Sequence, residues 1–201
     1  MNEAAVLAAT GERVLGLDLA IQRTGAAWRT ARGRMETKAI EAPKLSTNAT
    51  PRGQMERLLW LTQQVSSLVR LHGARRVVIE DHAYSQPRLA ALAGTQRAVE
   101  LVLYRDFGIV TERMSPQTAR LLAAGLSGRP GKGTQPTKEQ VHRAVRQLVD
   151  LPGTTSPDEL DAVVLVLAAE FEPPAGRGER TPLEKRQCAA WRKWLRSIGR
   201  D

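Results

Sequence analysis

Four carboxylates sit in surroundings that need explaining. Asp18 lies between Leu17 and Leu19 at the end of an apolar run, and Glu80 closes a second such run, Val77, Val78 and Ile79. Strand interiors disfavour carboxylates, and a half-buried one needs a partner. Each also fits an ordinary strand end, Asp18 as the start of a turn. A third stretch, SPDELDAVVLVLAAE, has Ser156 as a helix cap, Pro157 at the first helical position and Glu159 completing a capping box. The helix dipole alone accounts for Asp158. Asp161, three residues on, shares its face, and two carboxylates so placed repel unless a cation sits between them. Asp18, Glu80, Asp158 and Asp161 are the oxygen set that hard divalent cations require. Two Mg²⁺ ions about 3.5–4 Å apart activate a water and stabilise the leaving 3′ oxygen in phosphodiester cleavage. In a basic chain, these four carboxylates predict a metal-dependent nuclease.

Several cations and aromatics fit that chemistry. Lys138 follows Thr137, an N-cap position, at the end of a Gly-rich loop that also carries Arg129 and Lys132. Helix N-termini and flexible glycines suit phosphate approach, and a solvated loop is the plainer alternative. His142 lies i, i+4 from Lys138 on the same helix face; it reads as a surface histidine, with a place near the scissile phosphate as the alternative. Tyr84, in a polar loop with Ser85, Gln86 and Pro87, either stacks on an unpaired base or packs on its own domain. Arg88 and Arg97 either hold backbone phosphates or solvate a helix face. Trp191 and Trp194 stand i, i+3 among Arg192, Lys193 and Arg196. They read as a DNA arm or, the favoured reading, as a helix docked by its tryptophans, and the two are compatible.

The composition narrows the class. Thirty Lys and Arg against 21 Asp and Glu leave a net charge of +9 in 201 residues. This favours a polyanionic partner, nucleic acid before an anionic membrane surface. A single cysteine, Cys188, excludes an intramolecular disulfide and any Cys-rich metal site, and fits a reducing cytoplasm. No apolar run approaches the roughly 20 residues that span a bilayer, so no membrane association is expected. The first residues lack the pattern of a signal peptide.

Hydrophobic periodicity supplies the elements that must position these groups. Strand patterns cover residues 13–19, 24–30 and 33–39, with Gly33 available for a positive-φ turn after Ala31 and Arg32. Thr50-Pro51 starts a helix that Gly73 ends, with Met55, Leu58, Leu59, Leu61, Val65, Leu68, Val69 and Leu71 at helical spacing. A strand over 76–80, an apolar helix over 88–104, a strand over 108–114 and a short helix over 116–124 follow. Two further helices span 137–149 and 157–171. The 88–104 helix is apolar around most of its circumference, which predicts cover from the sheet and from a partner subunit. The order βββ-α-β-α-β-α-α predicts an α/β layer fold with a mixed five-stranded sheet, three strands antiparallel and two parallel, flanked by helices. The chain divides into a nuclease domain, residues 1–171, and a basic tail, 172–201, containing a helix.

With these elements in place, a family resemblance emerges. GLDLAIQRTG (16–25) resembles the first-strand motif of RuvC-type Holliday-junction resolvases, members of the ribonuclease H-like superfamily. VVIEDHAYSQ (77–86) resembles their second motif, PQTARLLAAG with Lys138-Glu139-Gln140-Val141 their basic segment, and DELDA (158–162) their closing helix. The motifs run in order over residues 14–171. The resemblance implies a ribonuclease H-like fold and a homodimer that makes paired, symmetric nicks in four-way DNA junctions with Mg²⁺, Mn²⁺ substituting. It matches Asp18, Glu80, Asp158 and Asp161 to the catalytic carboxylates and Lys138 to a lysine that contacts the reacting phosphate. Arg120 stands where the family has another lysine, and Tyr84 falls near an aromatic that wedges into the junction. Leu19-Ala20 replaces the family's Pro-Gly, and the tail has no counterpart, which points to a divergent, phage-like member. Alternatives are a nuclease of this fold acting on flaps or RNA–DNA hybrids, and a non-catalytic junction-binding protein. An actin-like sugar kinase, whose phosphate loop also resembles residues 16–25, would need a second lobe that 201 residues do not supply.

Overall fold

A computed structural model describes residues 13–44, 50–81, 90–126, 136–171 and 181–200. Five strands form one sheet: β1 (Val14–Asp18), β2 (Arg23–Arg29), β3 (Met35–Glu41), β4 (Arg76–Glu80) and β5 (Glu112–Met114). Their order is β3-β2-β1-β4-β5. The first three strands pair antiparallel, while β4 joins β1 and β5 joins β4 in parallel, as the element order required. Gly33, with φ of 77°, turns the chain between β2 and β3. Among the described residues there are six helices: α1 (Pro51–His72), α2 (Ala90–Phe107), α3 (Pro116–Ala124), α4 (Lys138–Leu148), α5 (Pro157–Ala169) and α6 (Pro182–Ser197). None is long and apolar enough to cross a membrane.

The alternation of side chains along a strand divides the core in two. Leu15, Leu17 and Leu19 join Val77 and Ile79 beneath α1 and α2, where Leu61, Val65, Leu68, Val99 and Leu103 are buried. Val14, Ala27, Val78 and Met114 face the other way, against α3, α4 and α5. Gly16, Asp18 and Glu80 share the parity of this second face.

Helix α5 lies unusually close to that face. A Cβ on Gly16 would stand 2.4 Å from the carbonyl oxygen of Ala162, and one on Gly25 would stand 2.0 Å from that of Asp158. Gly25 is also the cross-strand partner of Asp18. The absence of two side chains therefore lets the first turns of α5 rest on the ends of β1 and β2, within reach of Asp18. Helix starts follow the expected chemistry. Thr50, Ser115, Thr137, Ser156 and Thr181 all cap, and Thr137, Ser156 and Thr181 form full capping boxes.

Two expectations are corrected. The fifth strand begins at Glu112, not at 108, because Gly108, with φ of 67°, is spent on ending α2. The apolar series on α1 is only partly a core face. Met55 and Leu59 are exposed because no residue before Leu61 is buried in that helix, and Leu71 falls off the buried face near its end. On α2, Val99 and Leu103 are buried with the sheet as expected, while Leu101 and Tyr104 are exposed and no other described element covers them.

The two glycine contacts yield a test. Gly25→Ala forces backbone against backbone, so the strand or the helix must shift, and overpacking of this kind costs about 3 kcal/mol or more. Urea unfolding should show that loss, with a similar one for Gly16→Ala. Substitution of Gly94, where an added Cβ meets nothing, should cost little.

Candidate active site

Asp18 ends β1 and Glu80 ends β4, and because these neighbouring strands are parallel both carboxylates emerge at the same edge of the sheet. From above, α5 contributes Asp161, and α4 contributes Lys138 from its first turn. Asp18, Glu80, Asp161, Lys138 and Arg120 line a cleft of about 230 Å³. Val141, Val164 and Leu165 form its apolar wall. The turn after Asp18 is fixed by Thr24, a buried hydroxyl that donates to the Ala20 carbonyl and accepts the Ala20 amide. On β4, the backbone oxygen of Glu80 accepts a hydrogen bond from the Gln96 side chain, itself fully buried on α2.

The acids are held by different partners. Asp161 lies 2.5 Å from Lys138 Nζ through Oδ2 and 2.9 Å from His142 Nε2 through Oδ1. Burial pushes its carboxyl up, but the hydrogen bonds from His142 and Lys138 outweigh this, and it titrates below the usual carboxylate range. Among the described residues Asp18 has no such clamp. Burial, then the charges of Asp161 and Glu80, push its pKa up to about 7, with Lys138 opposing and Asp158 adding a smaller rise. Neighbouring acids driven in opposite directions are a recurrent mark of acid–base and metal sites.

Asp158 is placed differently from the other three. It contributes to the field at Asp18 and Lys138, but its carboxylate does not line the cleft. It pairs instead with Arg23 of β2 at 3.4 Å, an ion pair longer than a good hydrogen bond. The repulsion expected between Asp158 and Asp161 is thus answered by two separate protein cations. Among the other expected site residues, Arg97 is exposed on α2 and pairs with Glu100. Tyr84, Arg88, Arg129 and Lys132 lie outside the described residues. The reading of His142 as a surface residue is overturned, because its ring is largely buried between α4 and α5. His142 and Arg23 were missed because their partners come from other elements. The i, i+4 spacing of His142 from Lys138 was the one available signal.

All-oxygen, mutually repelling, partly buried carboxylates fit a hard divalent cation. As the side chains stand, among the described residues no three His, Cys, Asp or Glu groups converge on one metal position. The reason is visible in the contacts: Lys138 and His142 occupy both oxygens of Asp161, and Arg23 draws Asp158 away.

The fold has solved counterparts. T. thermophilus RuvC in complex with a Holliday junction substrate superposes with a TM-score of 0.62 at 22% identity, over 80% of this chain and 93% of that one. A Thermus thermophilus RuvC structure gives 0.54 at 20% identity, over 78% and 92%. The chain has the RuvC-type, ribonuclease H-like fold. No protein-family model and no curated protein matches the sequence.

The raised pKa of Asp18 has a measurable consequence. Between its ordinary value of 3.8 and about 7, the folded protein keeps a proton that the unfolded chain has lost. Stability contributed by this group is therefore full at low pH and lost as pH rises to about 7. Without added metal, Asp18→Asn should be more stable than wild type at pH 8, by at most about 4 kcal/mol, and so melt at a higher temperature. The gap should close towards pH 4. Parallel melting curves across this range check it.

Proposed function

We propose that this protein is a divalent-metal-dependent endonuclease that resolves four-way DNA junctions by paired, symmetric nicks. The observation that carries the reading is the convergence of Asp18, Glu80 and Asp161 with Lys138 and Arg120 in one cleft. The RuvC-type fold supports it. Asp18, Glu80 and Asp161, with Asp158 once freed from Arg23, would hold Mg²⁺ or Mn²⁺. A bound divalent cation supplies activation of a water and charge neutralisation at the leaving oxygen.

The chain's own groups do the rest. Lys138 and Arg120 bring positive charge to the mouth of the cleft, where a scissile phosphate enters. When Lys138 turns to that phosphate, Asp161 regains an oxygen for the cation. His142 holds the other oxygen in place, a positioning role. The apolar wall of Val141, Val164 and Leu165 limits water around the reacting group.

A homodimer fits two symmetric nicks, one from each cleft. Support for it comes from the exposed Leu101 and Tyr104 on α2 and Met55 and Leu59 on α1, large apolar groups on adjoining helices. The net charge of +9 suits a DNA partner.

The test is cleavage of an end-labelled synthetic four-way junction beside linear duplex, flap and RNA–DNA hybrid, with and without Mg²⁺. Wild type should make paired nicks in the junction only with metal. Asp18→Asn and Glu80→Gln should abolish cutting and keep junction binding. Cutting confined to flap or hybrid would retain the nuclease and change its substrate, and binding without cutting under either Mg²⁺ or Mn²⁺ would overturn the catalytic reading. His142→Ala should lower the turnover rate about 10–100-fold at unchanged junction affinity, as loss of an orienting partner does. His142→Gln, which can still donate to Asp161, should recover part of it.

A further inference from the structure

Helix α6 is a rigidly docked display of positive charge. Its inner side is anchored in the core: Trp194 is 4% exposed and its indole N–H donates to the Arg113 carbonyl of edge strand β5 at 3.0 Å. Cys188 is buried, and Gln187 donates to the Leu121 carbonyl of α3 at 3.0 Å. A Thr181–Glu184 capping box fixes its start, and Arg200, just past its end, reaches Glu112.

The outer side carries a stripe of basic residues. At about 100° per residue, Lys185, Arg192 and Arg196 stand within roughly 40° of one another around the axis, diametrically opposite Trp194, and Lys193 flanks them. All four are exposed, and none forms an ion pair among the described residues. Arg192 and Lys193 lie four and three residues before Arg196, spacings at which like charges cost about 0.2–0.5 kcal/mol each. Among the described residues of α6, no acidic residue lies on that side. A helix kept only to cover the edge of β5 has no use for this pattern.

Position relates the stripe to the cleft. Helix α3 presents Pro116, Ala119 and Arg120 to the cleft, while α6 clasps it further along at Leu121 and Gly125. Helix α3 therefore lies between the cleft and the docked side of α6, and the stripe is on the face of α6 that points away from α3. From Lys185 to Arg196 the stripe is about 16 Å long. A duplex lying along it presents one phosphate charge about every 1.7 Å of axis.

We infer that the outer face of α6 binds the phosphate backbone of a duplex segment flanking the site of cleavage. Contacts of Lys and Arg to phosphate oxygens fix orientation and add affinity without carrying sequence information. This rests on the nucleic-acid reading proposed above and extends it to a second contact surface.

The experiment measures binding of a fluorescent four-way junction, and of plain duplex, by the full chain in EDTA over a series of KCl concentrations. The fourfold variant K185Q/R192Q/K193Q/R196Q leaves the buried anchors intact, and its melting temperature and tryptophan emission should match wild type. Its plot of log affinity against log salt should be flatter by about 0.9 for each phosphate no longer neutralised, with weaker binding on both DNAs. The pair R192Q/K193Q should show an intermediate change and serves if the fourfold variant fails to fold. Wild-type slope and affinity in the folded variants would overturn the inference and leave the nuclease reading untouched. Failure of wild type to cut any substrate, with the slope still falling in the variant, would overturn the nuclease and keep the stripe. Unchanged DNA binding together with weakened binding to phosphatidylserine vesicles would assign the stripe to a lipid surface and also overturn it.

Discussion

The structure depends on how closely helix α5 approaches the sheet. Backbone meets backbone at Gly16 and Gly25, and a methyl group at either place would collide with a carbonyl of the helix. That approach brings Asp161 from the helix to the ends of β1 and β4, where Asp18 and Glu80 emerge. It also makes α5 the spine of the second core, with Val163, Val166 and Ala168 fully buried along it. The capping box at Ser156 and Glu159 fixes where the helix begins, and Thr37 of β3 holds Glu159 at 2.8 Å. Position along the axis is thus set by a hydrogen bond and depth by the glycines.

This closeness has an electrostatic cost that the fold distributes unevenly. Asp161 is compensated by Lys138 and His142, and Asp158 by Arg23. Asp18, the most central of the acids, is left to burial and to its neighbours' charge, and its pKa rises to about 7. A site built in this way favours any cation that can enter. It also couples Lys138 to the acids, because the ammonium that neutralises Asp161 is the one that would meet a phosphate. On this account phosphate and metal do not compete for the cleft. Each makes room for the other.

Much of this was legible in the sequence wherever a local rule governed. Thr50-Pro51 and Ser156-Pro157 with Glu159 marked helix starts because a cap satisfies free amides within one turn. Gly33 marked a turn by its freedom in φ, and the apolar runs ending in Asp18 and Glu80 marked strand ends. What failed were inferences that need a neighbour from elsewhere in the chain. Nothing local shows that Gly16 and Gly25 are pressed by a helix far along the chain, that Arg23 captures Asp158, or that His142 faces Asp161. Helical spacing on α1 gave too wide a core face because periodicity records which residues share a side, not how far the sheet beneath them extends. In the tail, the docking of the helix was legible from Trp194, which is buried, while Lys185, Arg192, Lys193 and Arg196 stay exposed on the opposite face.

The central claim is that the acids of this cleft form one charged unit awaiting a divalent cation, with Asp18 at its centre. NMR titration of the Asp18 side-chain carboxyl carbon, with and without Mg²⁺, tests it most directly. The account predicts a midpoint near 7 without metal, moving well below the ordinary carboxylate value when Mg²⁺ is present. An unshifted midpoint in the ordinary carboxylate range that ignores Mg²⁺ would contradict it, because Asp18 would then be neither buried among like charges nor within reach of the cation.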